Sequence, residues 1–261
     1  MKDSIPDPAA PWPVSRALRT AIIPMAMIGA IAGAQARQPP AEARASRAFR
    51  ESATTQADEL AAAFKAVTGK PHRLKDGEHG TTTTPLRLLH LPFGPVLITA
   101  RVIDDPCMTC GGWMGIYYLD QHGATFSVRK RWPQAIQGWV LGQIPQHWSI
   151  TSRFTKWPAI YAAGGIVDSG YDCEGSVIAE LRPEGPAISD LINTHFSNEG
   201  AQADAETPDG EAPRVAEGRI ANIVRGKSFI VHATGTATFT EHYVMRGKRF
   251  VRLEKTSRLT C

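Results

Sequence analysis

The amino-acid sequence predicts a mainly β protein of the α+β class, an antiparallel sheet or sandwich-like β domain with an N-terminal helix and a C-terminal β-hairpin meander. Three observations support this prediction. Helical periodicity is confined to residues 46–67. Short runs of β-branched and aromatic residues alternate with turn residues from residue 86 onward, and residues 220–253 contain four such runs separated by glycine-containing turns.

The first 36 residues have the order of a secretory signal. Arg16 and Arg19 precede an uncharged, largely apolar run over residues 21–34, and an Ala-x-Ala sequence ends at Ala36. The run is 14 residues long, whereas a transmembrane helix needs roughly 20. The alternative is a short buried helix of the folded domain, against which the basic flank and the Ala-x-Ala exit argue. We expect cleavage after Ala36, no lipid anchor because no cysteine lies there, no remaining membrane span, and a periplasmic or secreted product.

The charge of the chain gives no reason to expect a nucleic-acid partner. The formal net charge is +4, and residues 1–36 carry three basic and two acidic side chains, so a net charge of +3 remains after their removal. This small excess lacks the electrostatic footprint of nucleic-acid binding. The basic run at residues 129–131 is explained by positions on a strand at a sheet edge, where charge discourages aggregation.

The first ordered element is predicted to be a helix within residues 46–67. Leu60, Phe64 and Val67 follow one another at i, i+4 and i+7, so they lie on one helix face. Gly69 is expected to end the helix.

The rest of the chain is predicted to be extended. Residues 72–85, which include four consecutive threonines, are interpreted as a loop or an irregular edge. Two strands joined by a turn at residues 92–95 follow. The predicted strands are residues 86–91, 96–102, 114–119, 125–131, 149–154, 176–181, 220–224, 229–233, 239–245 and 250–253.

Composition divides the predicted mature chain into three parts. Residues 37–197 form the helix and a β domain, residues 198–214 form a flexible acidic linker or loop, and residues 215–261 form a C-terminal β-hairpin region. We expect the last part to pack on the same domain, with a separate subdomain as the alternative. An Arg-Gly-Lys turn recurs in it after 21 residues, which indicates duplicated hairpins but has too few copies for a solenoid.

Four cysteines predict two disulfides in an oxidising compartment. Of the three pairings, the sequence favours Cys107 with Cys110 and Cys173 with Cys261. A redox-active C-x-x-C site is the sharper alternative, but such sites open a helix, whereas Gly111 and Gly112 follow here. A structural zinc site would need a second C-x-x-C or a spaced histidine pair, and the sequence has neither.

No local catalytic signature is present. The chain lacks nucleophile-elbow, phosphate-loop and zinc-protease motifs. Asp168, Asp172 and Glu174 are interpreted as part of a glycine-containing loop that could hold a hard cation, although solvated carboxylates are ordinary in loops. We therefore expect no metal and no cofactor.

Aromatic residues are concentrated in the middle of the sequence. Five of the six tryptophans lie within residues 113–157. Tryptophan and tyrosine recur where proteins bind glycans, peptides or other proteins, although filling a core is the plainer explanation. The candidate binding surface is Trp132, Trp139, Trp148, Tyr161 and Tyr171.

These patterns favour a non-catalytic, exported binding or interaction protein of the cell envelope. Its partner would be an envelope protein, including a toxin bound in the manner of a periplasmic immunity factor, or a cell-wall glycan. The alternative is a periplasmic enzyme. It would be a thiol-disulfide oxidoreductase using Cys107 and Cys110, or a hydrolase using Asp168, Asp172 or Glu174 with His147.

Overall fold

The structure, a computed structural model, describes residues 41–203 and 212–259, with side chains described for residues 55–201 and 212–259. The proposed signal segment, residues 1–36, and Cys261 lie outside the described residues. Within them the chain is mostly β, as predicted, with antiparallel sheets and one long helix. In the described part of the chain, no helix is long and apolar enough to cross a membrane.

The long helix, α1, spans Ala41–Thr68. Leu60, Phe64 and Val67 pack against the first sheet, so the predicted apolar face is confirmed. Gly69 ends the helix with a φ of 77°, a left-handed conformation that glycine adopts without strain. Its N–H donates to the carbonyl of Lys65 over 2.8 Å.

A five-stranded antiparallel sheet follows, with its strands in chain order. Residues 72–85, interpreted as a loop or an irregular edge, contain two strands: β1 lies at the edge of this sheet, and the threonines begin β2 and pair with β3. β-Branched threonine suits a half-buried pleated surface. The strands are β1 (Leu74–Asp76), β2 (Thr81–Leu91), β3 (Gly94–Ile103), β4 (Trp113–His122) and β5 (Thr125–Gln137).

The second sheet has nine strands in the order β14-β13-β12-β11-β10-β8-β7-β6, with β9 paired to β8. A short helix, α2 (Glu199–Ala203), follows β10. The strands are β6 (His147–Thr151), β7 (Ala159–Asp168), β8 (Tyr171–Arg182), β9 (Gly185–Ile188), β10 (Ile192–Ser197), β11 (Val215–Val224), β12 (Ser228–Gly235), β13 (Phe239–Arg246) and β14 (Arg249–Arg252).

Four strands, β1, β7, β9 and β10, were not predicted from the sequence. β7 contains consecutive alanines and glycines, which carry little strand signal. Its small residues suit a strand that has neighbours on both faces. A Cβ at Gly164 would lie 2.9 Å from the Trp139 ring, so a larger residue would clash there.

Three apolar clusters define the layers. One lies between α1 and the first sheet. The second lies between the two sheets, which is the sandwich-like arrangement, and contains Ile116 and Tyr118 opposite Ile160 and Leu181. The third joins β8 and β10 to the C-terminal strands; its members include Ile178, Phe196, Phe229, Tyr243 and Phe250.

Residues 198–214 connect two paired antiparallel strands, β10 and β11. Asn198 is buried and holds the two ends of this segment together. The Asn198 side-chain oxygen accepts a hydrogen bond from the backbone N–H of Arg214 over 2.6 Å. The backbone N–H of Asn198 donates to the Arg214 carbonyl over 3.1 Å. The strands on both sides therefore belong to one continuous sheet.

Candidate binding site

The two Arg-Gly-Lys sequences form neighbouring hairpin turns. Residues 225–227 connect β11 to β12. Arg246 ends β13, and residues 247–248 connect it to β14. The middle glycines have φ values of 69° and 61°, which tight turns require. The Met245 N–H donates to the Lys227 carbonyl over 2.7 Å, so the turns lie side by side.

Two cavities open beside these turns and share Glu184; together we call them the basic cleft. The smaller has a volume of about 270 Å³ and the larger about 560 Å³. The smaller is lined by both turn glycines and by Lys156, Trp157, Glu180, Arg182, Glu184 and Met245. The larger is lined by Trp132, the β8–β9 turn and β9, and by Arg246, Lys248 and Arg249.

A buried ion pair forms part of the wall of the cleft. Arg182 donates from Nε to Glu180 Oε2 over 2.6 Å, and its Nη2 contacts the same oxygen. The backbone N–H of Trp157 donates to the other carboxylate oxygen of Glu180 over 3.0 Å. The Glu180 carboxylate is therefore fully engaged by the protein itself, as a buried charge requires.

The rim of the cleft carries an excess of positive charge. Glu184 pairs with Lys248 at 3.1 Å. A hydrogen bond from its own backbone, followed by the one from Lys248, lowers the pKa of Glu184. Lys156 and Arg246 make no ion pair with any described residue. Because both acids of the cleft are already paired, these two cations are available to a ligand.

A chain of aromatic contacts connects the two cavities. The Trp132 and Tyr118 ring centroids lie 5.0 Å apart, Tyr118 and Phe93 lie 5.2 Å apart, and Phe93 and Trp157 lie 5.6 Å apart. Trp132 also packs on Gly185, where a Cβ would lie 2.6 Å from the ring. Both tryptophans are half-buried and reach the cleft.

The five predicted aromatic residues do not converge on one surface. Trp132 lines the cleft, Trp139 packs on Gly164, and Trp148 packs in the core between the sheets. Tyr161 stacks on Phe154 with ring centroids 5.9 Å apart, and Tyr171 lies 6.3 Å from Phe196. Trp157 was not selected from the sequence, although the adjacent lysine and proline set it apart.

Cys107 and Cys110 form a disulfide, as predicted. No helix follows it, since β4 begins at Trp113. The loop is held by backbone hydrogen bonds: Gly142 N–H donates to the Cys110 carbonyl over 2.7 Å, and Leu141 N–H donates to the Met108 carbonyl over 3.3 Å. Cys107 and Met108 are exposed.

Only one cysteine of the second predicted disulfide, Cys173, lies among the described residues. Cys173 lies on β8, packs against the third cluster and is not a free thiol. Its expected partner, Cys261, lies outside the described residues, so this pairing stays a prediction.

The acidic group predicted from the sequence lies on two paired strands. The interpretation as a loop was wrong, because Asp168 is the last residue of β7 and both Asp172 and Glu174 belong to β8. Asp172 Oδ2 lies 3.8 Å from His195 Nε2, and His195 Nδ1 lies 2.8 Å from Glu217. The histidine beside Asp172 is therefore His195, and not the His147 named in the hydrolase alternative. Among the described residues, no three or more such side chains are arranged to hold a metal ion.

Comparison of the chain with protein-family models, curated proteins and solved structures finds no match.

Proposed function

We propose that this chain is an exported, non-catalytic binding protein of the cell envelope, and that its basic cleft receives an acidic surface of a partner protein. The observation that carries the proposal is the pair of unpaired cations, Lys156 and Arg246, beside two half-buried tryptophans. Arginine and tryptophan are enriched where protein interfaces concentrate their binding energy. Export is supported by the Cys107–Cys110 disulfide, because disulfides persist in oxidising compartments.

A protein partner is favoured over a glycan by the way the tryptophans are held. Sugar recognition by tryptophan uses an open ring face, whereas Trp132 is packed against Tyr118 and Gly185. Lys156 lies on the connection between β6 and β7, and Arg246 is the last residue of β13, so the two cations come from different segments beside the opening. This arrangement suits attraction of an extended acidic surface. An acidic cell-wall glycan is the competing ligand.

The enzyme alternatives receive less support. A redox-active C-x-x-C pair gains its reactive thiolate from a helix N-terminus, and Cys110 leads into two glycines and a strand. His195 contacts carboxylates, and no described hydroxyl or thiol is hydrogen-bonded to it as a nucleophile would be to its base. We therefore retain binding as the function of the chain.

The proposal is tested with two defined polyanions, polyglutamate as an acidic peptide and polygalacturonate as an acidic glycan. Binding to the mature protein is measured by surface plasmon resonance at low and high salt. The double variant Lys156→Glu with Arg246→Glu is compared with Lys75→Glu with Arg87→Glu. The control pair has the same change in charge but lies on β1 and β2, at the far edge of the first sheet.

We expect the cleft variant to bind polyglutamate about tenfold more weakly or worse, and the control to bind like the wild type. High salt should weaken the wild-type interaction, because rim charges are screened. Equal loss in both variants, or no polyglutamate binding by the wild type, would contradict the proposal. Preferential binding of polygalacturonate would replace the protein partner by a glycan.

A further inference from the structure

We propose that a second pocket, between the end of α1 and the outer face of the first sheet, binds a small molecule through a single carboxylate. The pocket has a volume of about 300 Å³ and lies on the opposite face of the first sheet from the sheet–sheet core. That size suits a small ligand. Its polar wall includes Asp76, Arg101, Tyr117 and Arg131 among several threonines, and Val67 and Leu74 contribute apolar surface.

Arg101 is oriented by contacts at two of its nitrogens. Its Nε donates to the hydroxyl of Thr81 over 3.1 Å, and its Nη2 lies 3.8 Å from Asp76. Thr81 is itself buried. The guanidinium is therefore fixed in orientation before any ligand arrives, which lowers the entropic cost of binding.

Arg131 supplies the second cation. It lies on β5 directly opposite Tyr117 of β4, and it makes no ion pair with any described residue. Its positive charge and that of Arg101 both act on the Tyr117 hydroxyl, but burial is the larger influence and raises the pKa of Tyr117. The phenol thus stays protonated at neutral pH and can donate a hydrogen bond.

The charges of the pocket determine the class of ligand. The pocket is lined by two guanidinium groups, those of Arg101 and Arg131, and by one carboxylate, that of Asp76, so its lining carries one net positive charge. A monoanion neutralises it, whereas a phosphate dianion would leave a negative charge in a partly buried site. Guanidinium groups bind carboxylates with two parallel hydrogen bonds. The side chains of Val67, Leu74 and Pro133 give the remainder of the ligand an apolar surface.

Gly115 leaves room for two polar side chains that line the pocket, Thr99 and Tyr117. A Cβ there would lie 2.5 Å from the Thr99 hydroxyl and 2.9 Å from the Tyr117 ring. Only glycine lets these two polar side chains approach each other across β3 and β4. Their arrangement is therefore built into the sheet, and it does not depend on a flexible loop.

Benzoate is the probe, because it combines one carboxylate with a compact apolar body. The indole N–H resonance of Trp113 reports binding by NMR, since the Arg101 guanidinium carbon lies 6.0 Å from the Trp113 ring centroid. Benzamide tests the need for charge, and inorganic phosphate tests the choice of a carboxylate. Arg131→Gln is compared with Arg129→Gln, a neighbour on the same strand that pairs with Asp120 at 3.5 Å outside the pocket.

We expect saturable benzoate binding, at least tenfold weaker binding in Arg131→Gln, wild-type behaviour in Arg129→Gln, and no shift with benzamide. Arg131→Gln should keep the wild-type melting temperature, because Arg131 is exposed and makes no ion pair with any described residue. Arg129→Gln should lower it slightly at most, since its pair with Asp120 lies at the surface. Absence of benzoate binding, equal loss in both variants, or tighter binding of phosphate would overturn the proposal. The variant Lys156→Glu with Arg246→Glu should bind benzoate normally, which separates this pocket from the basic cleft.

Discussion

Replacing Glu180 by glutamine tests whether the wall of the basic cleft depends on a buried ion pair. The exposed fractions of the two side chains are 3% for Glu180 and 16% for Arg182. Glutamine keeps the shape of the side chain, and its amide oxygen can still accept the hydrogen bond from the backbone N–H of Trp157. Its amide cannot neutralise Arg182, so the guanidinium, which is 16% exposed, is left without a counter-charge.

The expected cost follows from that unpaired charge. Breaking a buried ion pair by removing one partner typically destabilises a protein by about 3–5 kcal/mol. Because the Trp157 hydrogen bond survives, we expect the lower part of that range. The pair between Glu184 and Lys248 provides the comparison, since its side chains are 50% and 64% exposed. Breaking such a solvent-screened surface pair should change the stability little.

The assay is urea unfolding at neutral pH, which gives the free energy of unfolding and its slope for each variant. Glu180→Gln should lose about 3 kcal/mol, and Glu184→Gln should be close to the wild type because its pair is screened by solvent, with unchanged slopes in both variants. The double variant Glu180→Gln with Arg182→Gln should be more stable than Glu180→Gln alone, because it leaves no buried charge. If Glu180→Gln were as stable as Glu184→Gln, the assignment of a buried, energetically important pair would be refuted.

Two further predictions concern stability. Replacing Cys107 and Cys110 by alanine removes a disulfide that closes a short loop, with a sequence separation of 3. Because a short loop loses little chain entropy, calorimetry should show a loss of stability of about 2 kcal/mol with the fold retained. Unfolding of the variant would contradict this prediction. Burial, followed by the charge of Glu241, raises the pKa of Tyr243 from 10.0 to about 12. The protonated Tyr243 therefore contributes about 2–3 kcal/mol to the free energy of unfolding. This contribution is complete below pH 10 and is lost as the pH rises through 12. Tyr243→Phe should therefore show a smaller alkaline loss of stability in pH-dependent unfolding, and an unchanged pH profile would refute this.

The fold class could be predicted because periodicity and turn chemistry agreed over most of the chain. The helix face at Leu60 and Phe64 and its stop at Gly69 follow from local rules and are confirmed. The same rules failed at residues 81–84 and in β7. In both cases pairing with a neighbouring strand determines the conformation, and the residue types of the segment itself do not encode that pairing.

The basic cleft could be predicted only in part. The recurring Arg-Gly-Lys turns were visible in the sequence, because turn glycines and their spacing are local signals. Their side-by-side arrangement depends on the antiparallel meander of β11 to β14. The contributions of Trp157 and Glu180 arise from other parts of the second sheet, and no sequence spacing encodes that proximity.

The aromatic concentration has mainly a structural explanation, and this affects how binding should be sought. Trp139 and Trp148 pack against Gly164 and the sheet–sheet core, and a binding role for them stays a prediction. Substituting a half-buried ring removes packing as well as any ligand contact, so lost binding in such a variant is ambiguous. Charge reversal at Lys156 and Arg246 leaves the rings in place. A loss of binding there can be attributed to the surface itself, which is why the cations are the better probes of function.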